Sequence, residues 1–322
     1  MFRTEINIPS SPEKINHEHK LLTIGSCFSQ VIGEQLKENK FEVVANPFGT
    51  VFNPVSIFRI LESVLKNDFS LLDRSVESNG VWFNYHTHSD FFGNTREALE
   101  LKIKDQLQKA HAHLLKTNFL IITLGTAFVY RLKKENEIVA NCHKIPAAHF
   151  TKELLSVQEV VRSFETLHAQ LKSQLPALKI ILTVSPVRHT KDTLPLNAVS
   201  KAALRLVCHE CSEKHENVFY FPSYEIMMDD LRDYRFYKQD MIHPTEVAEE
   251  YIWNKFSETY FSEETKKILS EWASLLKALQ HKPFRGGTKE HSAFLEDTLS
   301  RLKKLNGKIN LEEEINDMLN KI

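Results

Sequence analysis

Five short runs of apolar residues, each rich in Ile, Val, Leu or Phe, recur along the chain. They are continuous rather than alternating, which is typical of strands that helices cover on both faces of a parallel sheet. The runs are LLTIG (21–25), FEVVA (41–45), FLIITLG (119–125), KIILTVS (179–185) and VFYF (218–221). Segments with helical spacing lie between them, such as CFSQVIGEQLKEN and residues 157–175. This alternation predicts a three-layer α/β/α fold with a doubly wound, mostly parallel sheet.

The pattern changes past about residue 262, where no strand-like run remains. The segments EETKKILSEWASLLKALQHKPFRGG and TLSRLKKLNGKINLEEEINDMLNKI are typical of charged amphipathic helices joined by a Gly-Gly turn. We therefore expect one domain over residues 1–262 and a C-terminal helical extension over residues 263–322. Acidic and basic residues are mixed in the extension. This favours packing on the domain, or on a second subunit in a homo-oligomer, over contact with a membrane.

The overall composition narrows the function further. Of 322 residues, 42% are hydrophobic and 26% are charged, as in an ordinary globular protein. The formal net charge of −1 provides no field that would attract nucleic acid. No apolar segment approaches the roughly 20 residues that cross a bilayer, and the N-terminus lacks the apolar stretch of a secretory signal. Four scattered cysteines do not form a disulfide framework, so we expect a cytoplasmic protein without a nucleic-acid or membrane partner.

Polar or turn-forming residues follow each predicted strand, in the segments GSCFS, NPFGT, GTAFVY, SPVRH and FPSYE. In a doubly wound sheet these strand ends share one edge, where ligands bind. Ser26 lies at the first turn, after Gly25, where the N–H groups and dipole of the next helix can hold a developing oxyanion. Ser26 is therefore a candidate nucleophile. A plain helix cap explains the same pattern. Cys27 is a second candidate nucleophile, but it lies roughly 100° further round the helix, so we expect it to pack inward as a small apolar residue.

A candidate base lies near the end of the predicted domain, in RFYKQDMIHPTE (235–246). Asp240 and His243 are three residues apart, just before Pro244 and a helical pattern. A carboxylate that fixes one ring nitrogen leaves the other nitrogen free to accept a proton from a serine hydroxyl. The position of this pair before the last helix of the domain, while Ser26 follows the first strand, predicts that the three residues act together.

These motifs resemble those of the SGNH (GDSL-like) hydrolases, with a serine after the first strand, a glycine after the second and Asp-x-x-His late in the chain. GSCFS with NPFGTVFNP more closely resembles the GSCFA family, a bacterial branch of them. The likeness covers most of residues 20–260 and continues in WFNYHTH, VANCHK, TVSPVRHT and DMIHPT. It implies a hydrolase domain with Ser26 as nucleophile, His243 as base and Asp240 orienting the base. It also implies an oxyanion hole formed by the N–H groups of Ser26 and Gly49.

The third strand departs from the SGNH pattern, which places an asparagine there within Gly-x-Asn. Here the strand ends in LGTAFVY, so Gly125 and Thr126 occupy the place. Losing one oxyanion donor typically costs about 10²–10³ in rate. Asn141, in VANCHK, and Asn53 are therefore candidate substitutes.

The aromatic segment VWFNYHTHSDFFGNTRE suggests a different kind of site. In a strand, His86, His88 and Asp90 share one face, so a metal-dependent hydrolase is an alternative. The same histidines could instead line a substrate cleft together with residues from the other loops. The residues expected to bind substrate are His86, His88, His143, Arg188 and His189.

The sequence thus predicts a serine hydrolase or acyltransferase that needs no cofactor. Its substrate would be an ester, with an O-acetyl carbohydrate as one candidate, and the reaction would pass through an acyl-Ser26 intermediate. Two alternatives remain open at this stage. One is a hydrolase-like domain that binds a ligand without turnover, because the asparagine is missing, and the other is the metal-dependent hydrolase.

Overall fold

The computed structural model of the protein describes residues 4–281 and 289–321. The strands are β1 (Lys20–Gly25), β2 (Glu42–Ala45), β3 (Ser75–Ser78), β4 (Val81–Asn84), β5 (Phe92–Gly93), β6 (Phe119–Leu124), β7 (Phe128–Leu132), β8 (Glu137–Val139), β9 (Phe150–Leu154), β10 (Lys179–Val184) and β11 (Val218–Phe221). The helices are α1 (Cys27–Glu38), α2 (Pro54–Lys66), α3 (Arg96–Leu114), α4 (Val157–Gln174), α5 (Leu194–Lys214), α6 (Ser223–Glu225), α7 (Glu246–Tyr260), α8 (Glu263–Gln280), α9 (Lys289–Leu305) and α10 (Glu312–Leu319).

The central sheet has five parallel strands in the spatial order β11-β10-β6-β1-β2. These strands are the five apolar runs of the sequence, so the prediction of a mostly parallel sheet is confirmed. Successive residues of β1 face opposite sides. Leu22 and Ile24 pack in a core with α2, α3, α4 and α5, whereas Leu21 packs in a second core with α1 and α7. Two cores on the two faces of one sheet make the three-layer α/β/α fold.

Two small antiparallel sheets were not evident in the sequence, namely β3-β4-β5 and β8-β7-β9. The first contains the start of the aromatic segment, but β4 ends at Asn84 and a turn follows it. The side chain of Asn84 explains this end, because its Oδ1 accepts the N–H of His86 (2.8 Å) and its Nδ2 donates to the Leu71 carbonyl (2.6 Å). The strand expected through residues 86–90 is therefore absent.

The C-terminal helices α8, α9 and α10 share a separate apolar cluster. They contact the rest of the protein at several points: the indole N–H of Trp272 donates to the carbonyl of Glu38 (2.8 Å), Oγ1 of Thr265 donates to the carbonyl of Ile15 (3.3 Å), and Glu314 pairs with Lys40. The predicted Gly-Gly turn falls outside the described residues. The domain boundary at residue 262 and the homo-oligomer through these helices stay predictions. Across residues 4–281 and 289–321, each helix is too short or too polar to cross a lipid bilayer.

Candidate active site

The turn between β1 and α1 depends on Gly25. Its φ is +136°, which residues with a side chain rarely adopt, and a Cβ atom there would lie 2.1 Å from the carbonyl oxygen of Thr123. The backbone of Gly25 is also held by two hydrogen bonds. Its N–H donates to Oδ1 of Asn46 (2.9 Å), and its carbonyl accepts the N–H of Val51 (2.9 Å). Glycine is therefore required where the chain enters α1.

Ser26, the predicted nucleophile, is the N-cap residue of α1. Its side chain is buried, and no residue in the described part of the chain hydrogen-bonds to its Oγ. Its N–H donates to the carbonyl of Thr123 on the neighbouring strand β6 (3.1 Å). The structure thus contains neither a hydrogen bond between Ser26 and His243 nor a side-chain cap on α1. The nucleophilic role of Ser26 stays a prediction.

Cys27 is the first residue of α1 and is half-buried. The expectation that it packs inward is wrong, because it lines a cavity at the edge of the sheet. The tight turn at Gly25 buries Ser26, so the following side chain is the one that reaches the cavity. Burial raises the pKa of the Cys27 thiol, which is therefore protonated at neutral pH.

His243 and Asp240 form a hydrogen-bonded pair. Nδ1 of His243 lies 2.7 Å from Oδ2 of Asp240, while Oδ1 accepts the N–H groups of Ile242 (2.8 Å) and His243 (3.0 Å). The bond from the His243 imidazole, followed by these two amides, holds the pKa of Asp240 below its usual range. Within the described residues no group hydrogen-bonds to Nε2 of His243. The imidazole is therefore fixed at one nitrogen and open at the other.

The loop that carries this pair is fastened at both ends. Before α7, the N–H of Thr245 donates to the Phe236 carbonyl (2.8 Å), and its Oγ1 accepts the N–H of Ala248 (3.4 Å). The N–H of Arg188, in the loop after β10, donates to the Ile242 carbonyl (3.3 Å). These contacts join the loop to the carboxyl edge of the central sheet.

A cavity of about 410 Å³ opens at that edge. Its lining includes Cys27, Phe52, Thr126, Arg188, His189 and His243. Cys27 at the start of α1 and His243 thus line one cavity, although they come from opposite ends of the predicted domain. Arg188 and His189 are the two expected substrate-binding residues that the structure brings here.

A larger groove of about 1090 Å³ lies near α10 and the start of β2. Its lining is mostly charged and, among the described residues, contains no serine or cysteine. The smaller cavity is therefore the better candidate for chemistry, because its lining contains the Cys27 thiol and the His243 imidazole, which Asp240 holds at one nitrogen.

Two basic side chains lie at or near the cavity, His189 in its lining and the fully buried Lys201. The N–H of His189 donates to Oδ1 of Asn197 (2.9 Å), but its Nε2 makes no hydrogen bond with any described residue. Burial, with the nearby charge of Lys201, lowers the pKa of His189 to about 4, so its ring is neutral at neutral pH. Nζ of Lys201 donates to the carbonyls of Gly125 and Ser185 (2.7 Å each), and burial lowers its pKa to about 7. Lys201 therefore joins the loops that follow β6 and β10.

The groups expected to form the oxyanion hole are engaged elsewhere. The N–H of Ser26 is bonded to β6, and the N–H of Gly49 closes a tight turn by donating to the carbonyl of Asn46 (2.8 Å). Asn141 is outside the cavity lining, and its Nδ2 donates to Oγ of Ser89 (3.2 Å). In this structure the expected oxyanion hole is therefore not formed. The N–H groups of the first turn of α1 are the remaining candidates, since a helix leaves these groups without intrahelical partners.

Two other asparagines are closer to the candidate site. Asn53 lines the cavity, but its Oδ1 accepts the N–H of Ser56 (2.8 Å) and its Nδ2 donates to the carbonyl of Val139 (3.2 Å). Asn46, which the sequence did not single out, bonds Gly25 through Oδ1, while its buried Nδ2 has no partner among the described residues. Asn46 thus places an unused amide donor beside the turn that leads into α1.

The alternative metal site is not formed by His86, His88 and Asp90. Nε2 of His86 lies 3.4 Å from Oε1 of Glu137, whereas Nδ1 of His88 lies 3.1 Å from Oδ2 of Asp90. No three His, Cys, Asp or Glu side chains are grouped to hold a metal ion within residues 4–281 and 289–321. The prediction that these three residues share a strand face is wrong, because a turn follows β4.

Three of the expected substrate-binding histidines, His86, His88 and His143, are outside the lining of the cavity. His143 stacks on Phe83 with ring centroids 4.8 Å apart, and its Nε2 lies 2.7 Å from the Asn84 carbonyl oxygen. Burial lowers the pKa of both His86 and His143. These contacts join the loops around the small sheet β3-β4-β5.

Comparison with protein families agrees with the sequence motifs. The model of the GSCFA family matches residues 20–256, a range that contains the whole cavity lining. The chain belongs to the GSCFA family. A second model, described as the C-terminal domain of GSCFA domain proteins, matches residues 272–322. No curated protein matches the sequence.

Two solved structures are similar to this GSCFA chain. One is a protein from Streptococcus pneumonia described as "a putative platelet activating factor", with 12% identity and a TM-score of 0.37, over 76% of this chain and 85% of that one. The other is a carbohydrate esterase family 3 protein from Talaromyces cellulolyticus, with 8% identity and a TM-score of 0.35, over 79% of this chain and 99% of that one.

Proposed function

We propose that this protein is an ester hydrolase or acyltransferase that works through a covalent acyl-enzyme intermediate in the cavity at the sheet edge. The observation that carries the proposal is the fixed imidazole of His243, which lines the same cavity as the first residue of α1. An imidazole that a carboxylate holds at Nδ1 can accept a proton at Nε2. The proposal therefore assigns His243 as general base and Asp240 as the residue that orients it.

The reaction requires a nucleophile at the start of α1. The sequence predicts Ser26, and Cys27 is adjacent to it. The N–H groups of the first helical turn, together with the helix dipole, would stabilise the negative charge on the carbonyl oxygen after attack. Water, or a hydroxyl group of an acceptor, would then release the acyl group.

The cavity lining is consistent with a polar ester as substrate. Phe52, Phe128 and Tyr130 provide aromatic surface, and Arg188 and Lys152 provide positive charge. Aromatic faces with a few polar groups are common in small-molecule sites. An O-acetyl carbohydrate is one candidate substrate.

Hydrolysis of 4-nitrophenyl acetate by the full-length protein tests the proposed function. His243→Ala should lower kcat/KM by about 10³ or more, and Asp240→Asn by about 10²–10⁴, because the base is lost or misoriented. His209→Ala is the matched control, since His209 is an exposed histidine of α5 outside the cavity lining. Its kcat/KM should equal that of the wild type.

Two outcomes would contradict the proposal. Equal activity in His243→Ala and wild-type protein would remove His243 from the mechanism. A folded wild-type protein without turnover of acetyl, longer-chain acyl or acetylated sugar esters would favour the binding-only alternative. That alternative has support in the structure, because the Ser26 and Gly49 amides are already bonded to carbonyl groups.

A further inference from the structure

We infer that Cys27, rather than Ser26, is the nucleophile of the proposed reaction. The inference rests on the proposed function. Cys27 lines the cavity together with His243, whereas Ser26 is 1% exposed and is not part of the lining. A nucleophile must be reached by its substrate. Of the two adjacent candidates, only Cys27 meets that requirement in this structure.

The backbone hydrogen bonds of Ser26 indicate that this residue has a structural role. Its N–H connects the end of β1 to Thr123 of β6 (3.1 Å), and its carbonyl accepts the N–H of Ser29 (2.8 Å) at the start of α1. The backbone of this turn is thus fixed by the bond from Ser26 to Thr123 and by the positive φ of Gly25. With the turn in this conformation, Cys27 already lines the cavity.

Position and partner also suit Cys27 for chemistry. As the first residue of α1 it lies at the positive end of the helix dipole, which favours a developing thiolate and oxyanion. Its own backbone N–H favours the thiolate, although burial has the larger effect and raises the pKa of the thiol. Because the resting group is a thiol, the reaction needs a base. His243 has Nε2 open within the described residues and lines the same cavity.

The proposed reaction consumes only the ester and one water molecule. Nε2 of His243 takes the thiol proton of Cys27 while Sγ bonds to the ester carbonyl carbon and the carbonyl oxygen becomes an oxyanion. Collapse breaks the bond to the alkoxy oxygen, which leaves as an alcohol with the proton from His243. Water then adds to the thioester and gives its proton to His243. The carbon–sulfur bond breaks, the acid is released, and the thiolate regains a proton.

The test is to map the acyl group on the full-length protein after mixing with 4-nitrophenyl acetate and quenching in acid. We expect an acetyl group on Cys27 that neutral hydroxylamine removes, as it does a thioester, and that is absent in His243→Ala. Cys142 is an internal control. It is also half-buried but lies outside the cavity lining, and burial raises its pKa to about 11, so it should stay unmodified.

If deacylation is too fast for the acyl adduct to accumulate, steady-state kinetics of variants test the inference instead. Cys27→Ala should lower kcat/KM by about 10³ or more, while Cys142→Ala should match the wild type. If Cys27→Ala does not fold, Cys27→Ser replaces it. Any acyl group on that variant would be an oxygen ester that resists neutral hydroxylamine.

The outcomes separate the inference from the proposed function. An acetyl group on Ser26, or a Cys27→Ala variant within tenfold of wild-type kcat/KM, would overturn the inference and keep the esterase function. A folded wild-type protein with neither an adduct nor turnover would overturn both.

Discussion

At the scale of single residues, the candidate site depends on the conformation of Gly25. Its positive φ and its close approach to the carbonyl of Thr123 fix where α1 starts. That start determines which of the two neighbouring side chains, Ser26 or Cys27, reaches the cavity. A glycine in the strand-to-helix turn therefore sets the geometry of the candidate site.

Gly25→Ala should therefore be strongly destabilising. The new Cβ would overlap backbone atoms of β6, and φ +136° is unfavourable for alanine, so we expect a loss of about 3 kcal/mol or more in the free energy of unfolding. Gly80→Ala is the matched control, because Gly80 also has positive φ (+76°) but no atom within 4 Å of its would-be Cβ. Gly80→Ala should lower the free energy of unfolding by only about 1–2 kcal/mol. Urea denaturation of both variants measures the difference, and equal losses would contradict a steric role for Gly25.

The same residues show how far the sequence predicts the site. The spacing of Asp240 and His243 was sufficient to expect their hydrogen bond, because both lie in one short loop. The orientation of Ser26 and Cys27 was not predictable, since it depends on a turn whose geometry comes from a contact with the distant Thr123. Lys201 was also missed. The sequence feature that could have indicated a buried lysine is its position within the largely apolar stretch SKAALRLVC.

At the scale of elements, the five buried strands of the central sheet were predictable because each is a continuous apolar run. The two small sheets were not, since their strands are short and half-exposed. A charged cluster around Glu137 of β8 connects the two small sheets. Oε1 of Glu137 lies 3.2 Å from Nη1 of Arg59 on α2 and 3.4 Å from Nε2 of His86, and its other oxygen pairs with Arg74.

This cluster predicts a pH-dependent contribution to stability. The imidazole of His86, followed by the guanidinium of Arg74, lowers the pKa of Glu137 to about 2. A carboxyl whose pKa is lowered by folding stabilises the protein above its ordinary pKa of about 4.3, and this contribution is lost as the pH falls towards 2. Glu137→Gln should therefore lower the free energy of unfolding by about 1–2 kcal/mol at pH 7. This is less than the pKa shift alone would imply, because solvent reaches the cluster.

The measurement is the difference in unfolding free energy between wild type and Glu137→Gln from pH 7 to pH 2. This difference in unfolding free energy should shrink mainly below pH 5. Glu135→Gln is the matched control, as Glu135 is exposed and forms no salt bridge within the described residues. A difference for Glu137→Gln that stays constant with pH would exclude an ionic origin.

At the scale of the whole molecule, the C-terminal helices are attached away from the cavity. Trp272 of α8 is buried, donates to Glu38 at the end of α1 and lies 5.2 Å below Nζ of Lys40. The cavity lining contains no residue of α8, α9 or α10 within the described ranges. We therefore expect changes at the attachment of the C-terminal helices to leave the proposed activity unchanged.

Trp272→Ala should lower the free energy of unfolding by about 3–5 kcal/mol, because it leaves a cavity in the C-terminal cluster and breaks the bond to Glu38. Trp272→Phe keeps an aromatic ring and loses the N–H, so it should cost about 1–2 kcal/mol. Both variants should keep the kcat/KM of the wild type at a temperature where they are folded. A large fall in kcat/KM for folded Trp272→Phe would show that the extension acts on the site.

The meeting of Cys27 and His243 at one cavity has a consequence for how the protein is made. Cys27 is synthesised long before His243, and the strand before Cys27 lies between β2 and β6 in the central sheet. An incomplete nascent chain thus has the thiol without the base that would activate it. If Cys27 is the nucleophile, as proposed, reactivity of the nascent chain towards acyl donors should appear only after synthesis has passed α7.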